Sequence, residues 1–251
     1  MNTVLITGCS SGFGLDIARH FLGQNWKVVA TMRTRDESVL PASEHLRILP
    51  LDVRSDESVR RAVEAAGPID VLVNNAGVGW LNALEGTPMD IARDIFETNT
   101  IGTMRTMQAV LPQFRERRSG TIVNVTSTVT VKPLPLLSVY TASKAAVNAF
   151  TESVGLELEP FGVTVRIVLP GLAPETSFGK NAFERIEEAG GFPEPYADYT
   201  NAVVAQLRQH SGPVTRSRDV AEAVWRAATD PTCPMKLPAG ADAVAAADWD
   251  A

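Results

Sequence analysis

Tyr140 and Lys144 stand four residues apart in SVYTASKAAVNAF (138–150), a stretch whose only charge is Lys144. On a helix that spacing stacks the two side chains on one face. A free phenol titrates near about 10, whereas an acid-base catalyst works best near the operating pH. A cation about 5 Å from the hydroxyl, at an effective dielectric of about 20, supplies roughly 3 kcal/mol, on the order of two pK units. We read the pair as a proton donor with its charge partner. A chance meeting on a solvated helix face is the weaker reading, because the chain holds only three tyrosines.

A second run with chemical content is TGCSSGFG (7–14). It follows an apolar stretch and opens a segment in which Phe13, Ile17, Ala18, Phe21 and Leu22 recur at helical spacing. Gly8, Gly12 and Gly14 let the backbone turn tightly and approach a pyrophosphate, whose charge is favoured by free N–H groups at a helix N-terminus. Glycine clusters alone are as readily turns. A strand before and an amphipathic helix after this one favour dinucleotide binding. Ala142, Ala145 and Ala146 beside the Tyr–Lys pair leave little bulk to hold a cofactor away.

The elements that must position these residues alternate along the chain. TVLITG, WKVVAT, LRILPLDV, IDVLVNNAG, GTIVNVTS and VTVRIVLPG are short apolar runs without strict alternation, as expected of parallel strands covered on both faces. Helices are expected over 12–23, over DESVRRAVEAA with Ser55 as cap, and over PMDIARDIFETN with Thr87 as cap. Two longer ones follow through IGTMRTMQAVLPQFRER and from Ser138 to Leu158, the latter stopped by PFG (160–162). RTRDESVLPASEHL, after the second strand, is short and contains Pro41, so its crossover helix should shrink to a turn or two. The repetition predicts an α/β fold: one single-domain, Rossmann-type doubly wound parallel sheet flanked by helices, spanning residues 1–251.

Composition narrows the function classes. The 251 residues are 45% hydrophobic and 21% charged with a formal net charge of −6, and no cluster of Lys and Arg forms a phosphate-tracking stripe. Nucleic acid is not an expected partner. The first residues show neither a basic leader nor an apolar run long enough for a signal peptide, and no stretch of about 20 apolar residues could span a bilayer. A cytoplasmic protein without a membrane partner is expected. Cys9 and Cys233 make no disulfide framework, and His20, His45 and His210 have no paired ligand spacing, so no metal is expected.

The spacing Gly-x-x-x-Gly-x-Gly, followed in order by NNAG (74–77), SVYTASK (138–144) and PG (170–171), resembles the short-chain dehydrogenase/reductase family. The resemblance is close from Thr3 to Gly171, weaker from Ser217 to Asp242, and without a motif between Leu172 and Arg216. TGCSSGFG with VVATMR is most similar to the branch of hydroxysteroid dehydrogenases and related carbonyl reductases. What the resemblance implies is a hydride transfer at the nicotinamide C4, with Tyr140 supplying the proton and Lys144 also bonding the nicotinamide ribose. Ser127 matches the serine that polarises the substrate carbonyl, Thr126 and Thr128 being its register alternatives. Asn99 matches the helix asparagine that helps to hold a water near the lysine, although a polar residue inside a helix also bonds its own backbone. Asn75, Ala76 and Gly77 would admit the nicotinamide half, Asn74 would stabilise the sheet, and Pro170 and Gly171 would join Tyr140 and Lys144 in binding the cofactor. Gly8, Ser10, Gly12, Phe13 and Gly14 would form the phosphate loop, and Asp52 with Val53 would meet the adenine.

The cofactor expected is NADP(H). An NAD-selective member would carry Asp or Glu at the position of Met32, to bond the ribose hydroxyls and repel a 2′-phosphate. Arg33 offers a fixed cation to that phosphate, and Ser10 adds a hydroxyl. Residues 172–216 should cover the substrate as a lid, with Gly179, Gly190 and Gly191 as bending points. Phe178, Phe183, Phe192, Tyr196 and Tyr199 in the lid, with Leu136, Leu137 and Trp80, suggest an apolar wall, although each aromatic could equally pin the segment to the body. The expected reaction is NADPH-dependent reduction of a bulky, largely apolar ketone or aldehyde. Alternatives are an NAD-dependent alcohol dehydrogenase working in oxidation and a non-catalytic dinucleotide-binding regulator. The two long apolar helices resemble those through which family members form a homodimer or homotetramer.

Overall fold

The computed structural model describes residues 1–247. Seven parallel strands form one sheet: β1 (Thr3–Ile6), β2 (Lys27–Met32), β3 (Leu46–Pro50), β4 (Val71–Asn74), β5 (Gly120–Val125), β6 (Val163–Pro170) and β7 (Lys236–Ala239). Their order is β3-β2-β1-β4-β5-β6-β7. The chain starts mid-sheet, runs outward to β3 and returns to place β4 beside β1. That reversal opens a crevice beyond the strand C-termini, where ligands of such sheets bind.

Both faces are covered, which explains the unbroken apolar runs. Val4 and Ile6, Val71 and Val73, and Val123 and Val125 point to one face, where Ile17, Ala18 and Phe21 of α1 (Gly12–Gly23) meet Val220 and Val224 of α8 (Ser217–Thr229). Leu5, Leu72 and Ile122, the residues between them, point to the other face. There they meet Met107, Val110 and Phe114 of α4 (Gly102–Arg117) and Leu158 of α5 (Ser138–Leu158). Helix α2 (Asp56–Ala66) begins as expected, the Ser55 hydroxyl accepting from Ser58 N at 3.2 Å.

Three expectations are corrected. Six strands were read from the sequence and the sheet has a seventh: β7 is four residues long, pairs only with β6 and contains Pro238, which an edge strand tolerates because its missing donor faces away from the ladder. Thr87 does not cap α3 (Met89–Phe96). Its hydroxyl accepts from Trp80 Nε1 at 2.9 Å and donates to Ala83 O at 2.9 Å, and Pro88 takes the cap position. Between α3 and α4 the helix does not break but widens into a π-helical turn, Glu97–Ile101.

Residues 33–45 form turns without a regular helix. The segment after β6 carries α6 (Ser177–Glu188) and α7 (Ala197–Arg208), and a short α9 (Ala241–Ala247) follows β7. The helices α6 and α7 have their own satellite core, in which Ile186 and Val203 pack with Trp80, Leu81, Ile95, Leu136 and Val139. Among the described residues no helix is long and apolar enough to cross a membrane.

Candidate active site

The C-terminal ends of β1, β4, β5 and β6 converge on one crevice. At β1 the chain turns through Gly8, whose φ of +75° favours glycine, and a Cβ there would lie 2.9 Å from Ala76 Cα. A Cβ on Gly14 would overlap the Gly8 carbonyl oxygen. Asn75 locks this loop, its Nδ2 donating to Thr7 O at 3.0 Å and Gly8 O at 3.1 Å, while Thr7 Oγ1 accepts from the Asn75 and Ala76 amides. Ser11 sits at the N-cap of α1 without capping it through its side chain, which leaves first-turn N–H groups facing the crevice. This bare cradle at a helix N-terminus fits a pyrophosphate.

At the end of β2, Met32 is 2% exposed and packs in the main core, so only Arg33 turns outward. Among the described residues the Arg33 guanidinium has no hydrogen bond or ion pair, whereas its neighbour Arg35 pairs with Glu37. Ser10 is exposed in the glycine loop. Beyond β3, Asp52 Oδ1 accepts from Arg54 N at 3.0 Å, and Val53 turns its side chain inward beside Val59 and Ala62. Only the Val53 backbone remains near the crevice, and its carbonyl already accepts from Arg105 Nη1 at 2.6 Å.

Beneath the crevice Asn74 ties the sheet together. It donates to Asn124 Oδ1 at 2.9 Å and accepts from Thr106 Oγ1 at 2.6 Å, and Asn124 donates to Thr151 Oγ1 at 2.8 Å. Asn99, 1% exposed, lies in the π-helical turn, whose wider winding brings it inward. It does not bond its own helix through its side chain. Its Oδ1 accepts from Val78 N at 2.8 Å and its Nδ2 donates to Val78 O at 3.0 Å and Ser143 Oγ at 3.1 Å, pinning the loop after β4 against α5. A Cβ on Gly77 would lie 3.2 Å from Asn99 Oδ1 and 3.3 Å from Lys144 Nζ, so the glycine makes room for both.

Tyr140, Lys144 and Ser127 come together at this point. Lys144, 5% exposed, donates from Nζ to Val125 O at 3.1 Å. Ser127, two residues beyond β5, accepts from Val129 N at 3.3 Å through its hydroxyl and lies beside the Tyr140 phenol. Burial pushes the Tyr140 phenol well above its ordinary value, and the Ser127 hydrogen bond pulls it partly back. Burial brings the Lys144 ammonium down to about 8. Desolvation thus dominates both groups, and the phenol stands above its ordinary value with Lys144 on the same helix. Cys9, in the glycine loop, is also buried, and its thiol is pushed up to about 12.

The segment after β6 closes over the crevice. Gly171 N donates to Thr215 Oγ1 at 2.9 Å and Leu172 N to Asp242 Oδ2 at 2.6 Å, and Thr215 Oγ1 also donates to Asp242 Oδ1 at 2.7 Å. These two residues fix the exit of the chain from Pro170 and Gly171. Neither lies in a sequence motif. Ser177 Oγ donates to Ser11 Oγ at 3.3 Å, and the Phe178 ring lies 5.5 Å from the Tyr140 ring. A Cβ on Gly79 would lie 2.8 Å from Phe178 Cε1. Phe183, Phe192 and Tyr196 instead pack against the satellite core, and Tyr199 is 53% exposed. Trp80 is corrected from substrate wall to anchor, being 1% exposed with its Nε1 bonded to Thr87. Leu136 and Leu137 belong to the same core.

A family profile for short chain dehydrogenase matches residues 2–187. Retinol dehydrogenase 8 of Bos taurus is 40% identical over 199 residues, which span 74% of this chain and 64% of that protein. The 17-beta-hydroxysteroid dehydrogenase type 1 of Homo sapiens is 37% identical over 214 residues, 79% of this chain and 62% of that one. The match thus spans less than two thirds of either relative. Among solved structures, a short chain dehydrogenase from Burkholderia cenocepacia in complex with NADP superposes with a TM-score of 0.78 at 27% identity, covering 98% of this chain and 91% of the other. The chain belongs to the short-chain dehydrogenase family, oxidoreductases that bind a nicotinamide dinucleotide, and resembles its hydroxysteroid dehydrogenases.

Proposed function

We propose that the protein reduces a bulky, largely apolar ketone or aldehyde to an alcohol with NADPH. The observation that carries this reading is the convergence of three buried side chains, Tyr140 and Lys144 four residues apart on α5 and Ser127 just beyond β5. NADPH, held by the glycine loop over residues 8–14 and by Arg33, would supply a hydride to the carbonyl carbon. Ser127 orients and polarises the carbonyl oxygen, Tyr140 Oη releases its proton to that oxygen, and the Lys144 ammonium stabilises the phenolate left behind. Solvent then returns the proton to Tyr140.

Arg33, unpaired beside a buried Met32, supports NADP over NAD, as does the NADP complex of the Burkholderia neighbour. Phe178 over Tyr140 supports an apolar substrate. Two relatives are named for retinol and for a hydroxysteroid, both bulky and largely apolar. Two buried free cysteines suit a cytoplasmic setting.

The test is NADPH consumption with a panel of matched carbonyls. We expect an aryl or alicyclic ketone to give a higher kcat/KM than a small charged keto acid, and NADPH a higher value than NADH. Equal or better use of NADH sinks the cofactor assignment, and preference for the keto acid sinks the apolar pocket.

A further inference from the structure

Asn82 is 1% exposed, lies in no motif, and joins three segments distant in sequence. Its backbone N–H donates to Leu136 O at 2.8 Å. Its side-chain amide donates to Gly86 O and to Gly191 O, each at 3.2 Å, and its Oδ1 accepts from Ala83 N at 2.8 Å. Leu136 stands four residues before Tyr140 with a φ of +63°, a backbone region that side chains with a Cβ rarely adopt. It is held there by Asn82 N–H and by burial beside Trp80 and Val139. Gly190 and Gly191, with φ of +97° and +81°, form the elbow between α6 and α7.

The segment that bends at this elbow also covers the reacting phenol. Tyr140 is 7% exposed with the Phe178 ring 5.5 Å from its own, so the placing of that segment bears directly on how reactants meet it. A buried amide with two N–H donors is satisfied only while both carbonyls are in place, and one of them belongs to the elbow. We propose that Asn82 is a positioning residue: it latches the elbow at Gly191 to the loop after β4, and through Leu136 sets the closed lid relative to Tyr140. An apolar residue of similar size would fill the space without fixing the elbow. The kinetic arm of the test rests on the carbonyl-reductase reading, and the exchange arm does not.

The experiment compares wild type, Asn82→Ala and Asn82→Asp by amide hydrogen exchange and by NADPH-dependent reduction of an alicyclic ketone. The Asp variant keeps the acceptor for Ala83 N and removes both donors, so it carries both measurements if the Ala variant fails to fold. We expect exchange over residues 186–196 to quicken about tenfold with β5 unchanged, the factor given by loss of one buried hydrogen bond. KM for the ketone should rise about tenfold, with kcat and the NADPH Kd within about twofold of wild type. Unchanged exchange, an equal acceleration in β5, or an unmoved KM overturns the latch. A wild type inactive on every carbonyl refutes the reductase reading, and exchange alone then decides the role of Asn82.

Discussion

Tyr140→Phe keeps the ring against Phe178 and removes only the hydroxyl, so it separates proton donation from shape. Loss of a general acid costs about 10²–10⁴ in kcat, while the NADPH Kd should hold. A Phe variant keeping more than a few per cent of kcat would show that another group supplies the proton. Lys144 makes a second, opposite prediction. Burial lowers it from 10.5 to about 8, so the folded chain binds this proton less tightly than the unfolded one. Below pH 8 both states are protonated and the full penalty, on the order of 3 kcal/mol, weighs on the fold. Between pH 8 and 10.5 the unfolded chain holds more protons, so stability rises with pH, and above 10.5 the penalty is gone. Lys144→Met should therefore unfold at higher urea than wild type at pH 7, lose that gain by pH 10.5, and be inactive. A less stable variant at pH 7 refutes the cost assigned to the buried ammonium. In wild type, kcat/KM for reduction should decline above pH 8 as the ammonium discharges.

At the scale of elements, the junction of β4, β5, α4 and α5 depends on Asn124, which is fully buried and bonds Asn74 and Thr151. Asn124→Val would leave both partners buried with one bond fewer, at about 1–3 kcal/mol for each group left unsatisfied, readable as a drop in urea midpoint. An unchanged midpoint would mean that the network adds nothing to the fold. The central strands and α1, α2, α4 and α5 were legible in the sequence because covered parallel strands read as unbroken apolar runs and their helices as periodic ones. Edge and junction features were not. β7 has four residues and a proline, and the π-helical turn at Asn99 leaves no periodicity of its own. Tyr140 and Lys144 could be paired from their spacing, since a helix makes that contact local. Asn82 and Gly191 meet across 109 positions and Thr215 and Asp242 across 27, contacts that only the folded chain creates. Trp80 and Thr87 are closer, yet their bond depends on a 3-10 turn at Leu84–Gly86 that no repeating pattern announces.

At the scale of the molecule, α4 and α5 bury their inner faces on the sheet, through Met107, Val110, Phe114 and Leu158. Their outer side is not uniformly polar. Leu156 of α5 is 74% exposed, and Ile101, where the π-helical turn enters α4, is 40% exposed. A large apolar side chain as exposed as Leu156, on a helix that already has a filled inner face, is suited to contact with a second copy of the chain. A homo-oligomer is thus expected, with native mass a multiple of 27.0 kDa. Leu156→Glu places a carboxylate on that apolar surface, and burying it without a partner opposes association. The variant should sediment at 27.0 kDa. Tyr140 and Lys144 lie in the first two turns of α5 and Leu156 in its last, so the separated subunit should keep its proton donor and a measurable kcat. Wild type sedimenting as a monomer, or a Glu variant of unchanged mass, refutes this face as the interface, and loss of all activity on dissociation would show that the partner copy supports the site.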